Sequence, residues 1–155
     1  MELLKIIIGV SALVVFTRIG YIKAAQKEKE YAFYSSCTEF LRYYLSELKY
    51  LKNSLETLKD KEYSSEEFKN TLSSVIDGKT AVYPEYVKNN ERVKFDSLFS
   101  LIGKGGEESQ TTAVESFLCD FIKLSEEKRE FNKKYKTLAI KTGFVLGLAI
   151  LIMVI

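Results

Sequence analysis

The sequence predicts an all-α protein: a helical bundle of about five or six helices with two long antiparallel helices, flanked by N- and C-terminal transmembrane helices. Three observations carry this. Apolar residues recur in steps of three and four along two separate stretches, and apolar runs of spanning length lie at both ends. No stretch alternates with the period of two that a half-buried strand requires, and no Asn-Gly hairpin, βαβ rhythm, repeat or low-complexity tract competes. The implied division is 1–22 for the first membrane helix, 23–137 for a cytoplasmic helical bundle and 138–155 for the second membrane helix.

Residues 3–22 are apolar over about the length that crosses a hydrocarbon core, with Lys5 near the outer end and Arg18 near the inner end, from where long side chains snorkel. Phe16, Thr17, Arg18 and Ile19 stand where a cleavable signal peptide would carry small residues, so an uncleaved anchor is expected. The organising stretch at the other end is 111–155. Val114, Phe117, Phe121, Leu124, Lys128, Phe131, Tyr135 and Leu138 form a heptad-like seam broken chemically only by Lys128. The same helix runs on into 138–155, where Lys141 is the only charge. Gly143 and Gly147 have the small-xxx-small spacing that permits close approach in lipid, either to the first span, with Gly9 and Ser11, or to another molecule.

A second seam comprises Tyr34, Cys37, Leu41, Tyr44, Leu48, Leu51, Leu55 and Leu58. One seam leaves an N-terminal span and the other enters a C-terminal span, so the two should run antiparallel, with Tyr34 near Leu138 and Leu58 near Val114. At about 1.5 Å per residue each helix would be roughly 40 to 50 Å long outside the membrane. The seams suit either a two-stranded coil or two faces turned to a common bundle core.

Between them the chain turns several times. After 60–63, Ser64 and Glu67 have capping-box spacing, and a short helix to about Ile76 shows an apolar face of Phe68, Leu72, Val75 and Ile76. Asp77-Gly78 stops it. Pro84 marks a connector over 79–86, and helix resumes near Glu91, with Val93, Phe95, Leu98, Phe99 and Ile102 too dense to leave exposed. Gly103 ends that helix.

Charge position is more informative than charge sum. Lys plus Arg number 23 against 21 Asp plus Glu, too small a surplus to indicate a nucleic-acid partner. No acidic residue lies between Glu2 and Glu28 or after Glu130, whereas Arg18, Lys23, Lys27, Lys133, Lys134 and Lys136 flank the inner ends of the spans. By the positive-inside rule the central domain is cytoplasmic. There Cys37 and Cys119 stay thiols, and antiparallel pairing separates them by roughly 24 Å.

The chain has no histidine, which removes Ser-His-Asp and Cys-His sites and the commonest metal ligand. Glu66-Glu67, Glu107-Glu108 and Glu126-Glu127 are sequence neighbours that point apart on a helix, so no acid–base pair converges. Gly103-Lys104-Gly105-Gly106-Glu107-Glu108 follows a helix and opens on acids, unlike a phosphate loop. It reads as a tight interhelical turn. No catalytic residue, cofactor or metal is expected.

Several of these features together resemble the stage III sporulation protein AB family of endospore-forming bacteria. The resemblance rests on Leu98-Phe99-Ser100-Leu101-Ile102-Gly103, the turn ending in Gln110, the long amphipathic helix, and Asn132-Lys133-Lys134-Tyr135-Lys136-Thr137-Leu138 followed by Gly143 and Gly147. Residues 3–20 fit that family's N-terminal span, while the Thr-Pro-Leu motif closing its first long helix is missing near 63–68. The resemblance implies a noncatalytic platform in the mother-cell membrane, within a channel-like complex linking mother cell and forespore. Its cytoplasmic domain would be similar to type II secretion F and pilus platform proteins. It would dock a secretion-type ATPase and contact other membrane components of the complex and lipid. The expected partner surface is the turn Gly103, Lys104, Gly105, Gly106 and Gln110. The alternative is a small membrane sensor or transporter subunit using Lys141 as an intramembrane charge.

Overall fold

The computed structural model describes residues 2–51, 55–104 and 106–154. Among the described residues there is no strand, and five α-helices succeed one another: α1 (Glu2–Ser46), α2 (Glu56–Lys59), α3 (Glu66–Ile76), α4 (Asn89–Leu101) and α5 (Glu107–Val154). The two long apolar helices are the terminal ones. The residues form two compact units, one made of Met1–Lys29 with Arg129–Ile155 and the other of Glu30–Lys128.

In the first unit the helix contacts are set by glycine. A Cβ added to Gly9 would lie 2.4 Å from Leu151 Cδ1, and one on Gly147 would lie 2.7 Å from Leu13 Cα. On Gly143 it would meet the Phe16 carbonyl oxygen at 2.7 Å, and on Gly20 the Ala139 carbonyl oxygen at 2.7 Å. At Gly20, Gly143 and Gly147, where the added atom would meet backbone, only glycine fits, while at Gly9 the nearest atom ends a flexible leucine side chain. Gly143 and Gly147 therefore face the N-terminal part of α1 in the same chain, and Gly20, rather than the exposed Ser11, joins Gly9 on the opposing side. Further along, Lys27 lies 5.5 Å over the Phe131 ring, Phe131 stacks on Tyr135, and Lys136 pairs with Glu28 at 3.2 Å. The apolar seam of α5 loses its cover here: Phe131 is 52% and Leu138 64% exposed.

The second unit is built round aromatic rings. Phe33 is fully buried, with ring centroids of Phe68, Tyr86 and Phe95 at 5.5, 6.0 and 5.4 Å, and Phe95 meets Phe121 at 4.7 Å. These edge and tilted contacts join α1, α3, α4, α5 and the 77–88 connector, each worth about 0.5–1.5 kcal/mol beyond the area it buries. Phe33 and Phe40 widen the buried face of α1 beyond its expected seam of Tyr34, Cys37, Leu41 and Tyr44. A stripe this wide suits a core shared by several elements, not a two-stranded contact.

Four expectations need correction. The α1 seam does not continue as regular α-helix to Leu58: a π-helical turn, Glu47–Leu51, follows Ser46, and Leu58 lies on the separate α2. A π turn inserts a residue without glycine or proline, so the pattern of threes and fours passes over it unmarked. Tyr34 does not lie near Leu138; its ring sits under Lys128, 4.7 Å from the ammonium. The cap of α3 is Ser65, whose hydroxyl accepts the Phe68 N–H, while Ser64 donates to Glu39 and Glu67 accepts from Tyr86. Val93 is 63% exposed on α4, whose buried face is Glu91, Phe95, Leu98 and Phe99. The expected stops are in place, with Gly78 at φ +73° after α3 and Gly103 at φ +74° after α4.

Candidate functional site

The predicted partner-binding turn closes α4 and opens α5. Gly103 adopts the left-handed conformation that ends a helix, and the Lys104 N–H donates to the Leu101 carbonyl at 3.1 Å. Tyr44 of α1 holds the turn from beneath. Its hydroxyl accepts the Gly103 N–H at 3.1 Å and donates to Gln110 Oε1 at 2.8 Å. Gly103, Lys104 and Gly106 are exposed, so three of the expected residues share one accessible corner. Gly105 lies outside the described residues. Gln110 differs from the others, being half-buried with its carboxamide turned to Tyr44. Its role in this structure is to anchor the turn. A Cβ on Gly106 would meet nothing within 4 Å, while one on Gly103 would meet only Leu55 Cδ1 at 3.5 Å.

A second constellation was not anticipated in the sequence. Lys128, the one charged position of the α5 seam, extends its ammonium to Glu30 Oε1 at 2.8 Å and Glu91 Oε1 at 2.9 Å. Glu91 Oε2 accepts the Tyr34 hydroxyl at 2.6 Å and the Lys88 N–H at 3.1 Å. The three charged side chains are only 11%, 8% and 8% exposed. The cluster thus ties α1, α4 and α5 through two carboxylates, one ammonium and one phenol.

Electrostatics within it are consistent. Burial pushes the Glu91 carboxyl up, but the Tyr34 hydroxyl, the Lys128 ammonium and the Lys88 N–H outweigh it and hold the carboxyl below its ordinary value. Burial pushes Lys128 down, and its bonds to Glu30 and Glu91 more than reverse this. Tyr34 is raised, first by burial and then by its bond to Glu91, so it stays a neutral donor. Glu91 is held ionised, Lys128 charged and Tyr34 neutral, which is the behaviour of a structural clamp rather than of a proton-transfer site. Compared with known protein families, characterised proteins and solved structures, the chain matches none.

Among the described residues no three His, Cys, Asp or Glu side chains gather as a metal site. Cys37 and Cys119 are both free; burial pushes the Cys37 thiol up, whereas Cys119 is exposed. The signal that could have revealed the clamp was in the sequence. A lysine on an apolar seam must be paired or solvated, and Glu91 near the start of a helix with Phe95 and Leu98 on its own face was the available partner.

Proposed function

We propose that this chain is a noncatalytic, membrane-anchored assembly platform, with α1 and α5 crossing the membrane as an antiparallel pair and the 30–128 unit forming a cytoplasmic helical bundle. The observation that carries the reading is the exposure of the apolar helices. α1 and α5 are both long and apolar enough to cross a membrane, with 18-residue windows of mean hydropathy 1.6 and 1.7, yet only 17% and 11% of those windows is buried within the protein. A core helix of comparable hydropathy would be covered by its own chain. The pairing of Gly9 with Leu151, Leu13 with Gly147, Phe16 with Gly143 and Gly20 with Ala139 supports opposite directions for the two spans. The basic flanks Lys23, Lys27, Lys133, Lys134 and Lys136 support retention of the central unit on the cytoplasmic side.

The partner is a secretion-type ATPase of a sporulation channel-like complex in the mother-cell membrane, a proposal supported by the resemblance of the C-terminal third. Docking uses the exposed corner formed by Gly103, Lys104 and Gly106. The alternative role for Lys141 as an intramembrane functional charge is weaker, because the side chain is exposed on its helix and lies within reach of the basic edge. Two measurements test the reading. Proteoliposomes carrying the full chain should co-sediment with the purified ATPase, and failure to do so where other platform proteins bind would refute the docking role. An impermeant maleimide should label Cys119 in inverted vesicles and not in intact cells. Labelling of intact cells would refute the cytoplasmic placement, and Cys37, buried, supplies the unreactive control.

A further inference from the structure

A groove in the first unit lies along α1 beside Phe144 of α5. It has a volume of about 640 Å³, within the roughly 300–1,000 Å³ range of small-molecule sites, and is floored by Leu13, Val14, Ile22 and Phe144. The lining residues that carry polar groups are Thr17, Arg18 and Tyr21, close together on α1. The Thr17 hydroxyl is already committed to the Leu13 carbonyl at 2.8 Å.

Arg18 has no acid to answer it. No carboxylate stands between Glu2 and Glu28 on α1, and none follows Glu130 on α5. Glu28 lies about 15 Å further along the helix. Among the described residues no ion pair to Arg18 is formed. An arginine inside an apolar span costs several kcal/mol unless it is paired or snorkels. Basic pockets at the cytoplasmic edge of membrane helices suit anionic head groups, and a guanidinium matches phosphate geometry with two parallel N–H donors.

We propose that this groove binds one anionic phospholipid, its phosphate on Arg18 and Tyr21 and an acyl chain along Leu13, Val14 and Phe144. The proposal rests on the membrane-anchored reading and adds to it a specific lipid. The occupant follows from complementarity: an apolar lining of Leu13, Val14, Ile22 and Phe144 suits an acyl chain, and the cation Arg18 with the phenol Tyr21 beside it suits an anionic head group.

The chain contains no tryptophan, so Phe144→Trp places a single indole fluorophore in the groove. The full-length protein in vesicles of phosphatidylcholine and phosphatidylglycerol is titrated with either lipid brominated on its acyl chains. Phosphatidylglycerol should quench the indole at position 144 with about tenfold preference, equivalent to about 1.4 kcal/mol. Adding Arg18→Gln should abolish the preference, and Arg18→Lys should retain part of it. Leu148→Trp, on an exposed face that does not line the groove, should show none. Preference that survives Arg18→Gln, or appears equally at position 148, overturns the site in favour of general attraction to a basic protein. Quenching at 148 but not at 144 overturns it in favour of a second copy of the chain covering the groove. Absence of quenching at both positions overturns the membrane reading itself, and with it the lipid.

Discussion

Replacing Lys128 by Met removes the ammonium that Glu30 and Glu91 share while keeping the length and apolar stem of the side chain. Glu91 would then be buried without its cation and Glu30 would lose its bond to the ammonium, each only 8% exposed. Breaking a buried pair in this way costs about 3–5 kcal/mol, and loss of the contact with the Tyr34 ring adds roughly 0.5 kcal/mol more. For a unit the size of 30–128, each kcal/mol moves the midpoint by about 4–8 °C, so Tm of the full chain in detergent, followed by circular dichroism, should fall by at least about 12 °C. The triple variant Glu30→Gln, Glu91→Gln and Lys128→Met leaves no net charge and should recover most of the loss. The pH dependence gives a separate check. Glu91 lies below its ordinary 4.5, so its contribution is present above that value and is lost as pH falls through the lower folded value. Lys128 lies above its ordinary 10.5, so its contribution is present below that value and is lost as pH rises through the higher folded one. The difference between wild type and Lys128→Met should therefore narrow above about pH 10, and narrow on the acid side as the carboxyl left without its cation, which burial raises in the variant, takes up a proton. A fall of less than about 4 °C, the effect of a solvated surface pair, would refute the clamp.

Tyr44→Phe should destabilise by about 1–2 kcal/mol, since the Gly103 N–H loses its acceptor and Gln110 its donor; hydrogen exchange at Gly103 should accelerate, and an unchanged rate would count against the anchoring role. Gly103→Ala should cost about 1–2 kcal/mol in a thermal melt because of the backbone at φ +74°. Gly106→Ala, with open space around it, should leave stability within about 0.5 kcal/mol and weaken ATPase co-sedimentation, and equal losses in both would reduce the corner to a simple turn. Gly143→Val should separate the spans, because even a Cβ there lies 2.7 Å from the Phe16 carbonyl oxygen; the loss should be about 1–3 kcal/mol in detergent, whereas Leu146→Val, on the exposed face, should be near neutral.

Helices were legible in this sequence wherever burial is one-sided and ends are marked chemically. Phe68 and Leu72, Asp77-Gly78, and Phe95, Leu98 and Phe99 with Gly103 needed only period and stop signals. Counting residues inward from the two spans did not give the register of Tyr34, because neither the π turn nor the glycine contacts that fix the heights of the helices leave a periodic trace. For the same reason Phe33 and Phe40 escaped the seam: a strict step of three and four selects a narrow stripe, while the buried face of α1 is wider. The turn residues were placed correctly as a turn, but Gln110 belongs to Tyr44, a partner far away in sequence that no local pattern could name.

The two units are held by different forces, and the difference bears on where each resides. In the 30–128 unit, rings and leucines are removed from solvent and the one charged break in the seam is answered by two carboxylates, as expected where water drives apolar groups together and an unmatched charge is the main error to avoid. In the unit of the chain ends, Val10, Val14, Val145 and Ile152 stay outside, and contact is concentrated at four glycines where backbones approach. Water would not select that arrangement, because turning the valines inward would gain more than close backbone contact does. Lipid would, since apolar side chains gain nothing there by leaving a hydrocarbon surround, and what remains to join two helices is tight van der Waals contact at small residues. On the membrane-anchored reading, Lys128 and Gly143 are equivalent devices on one helix, each fixing a neighbour by the means its surroundings reward.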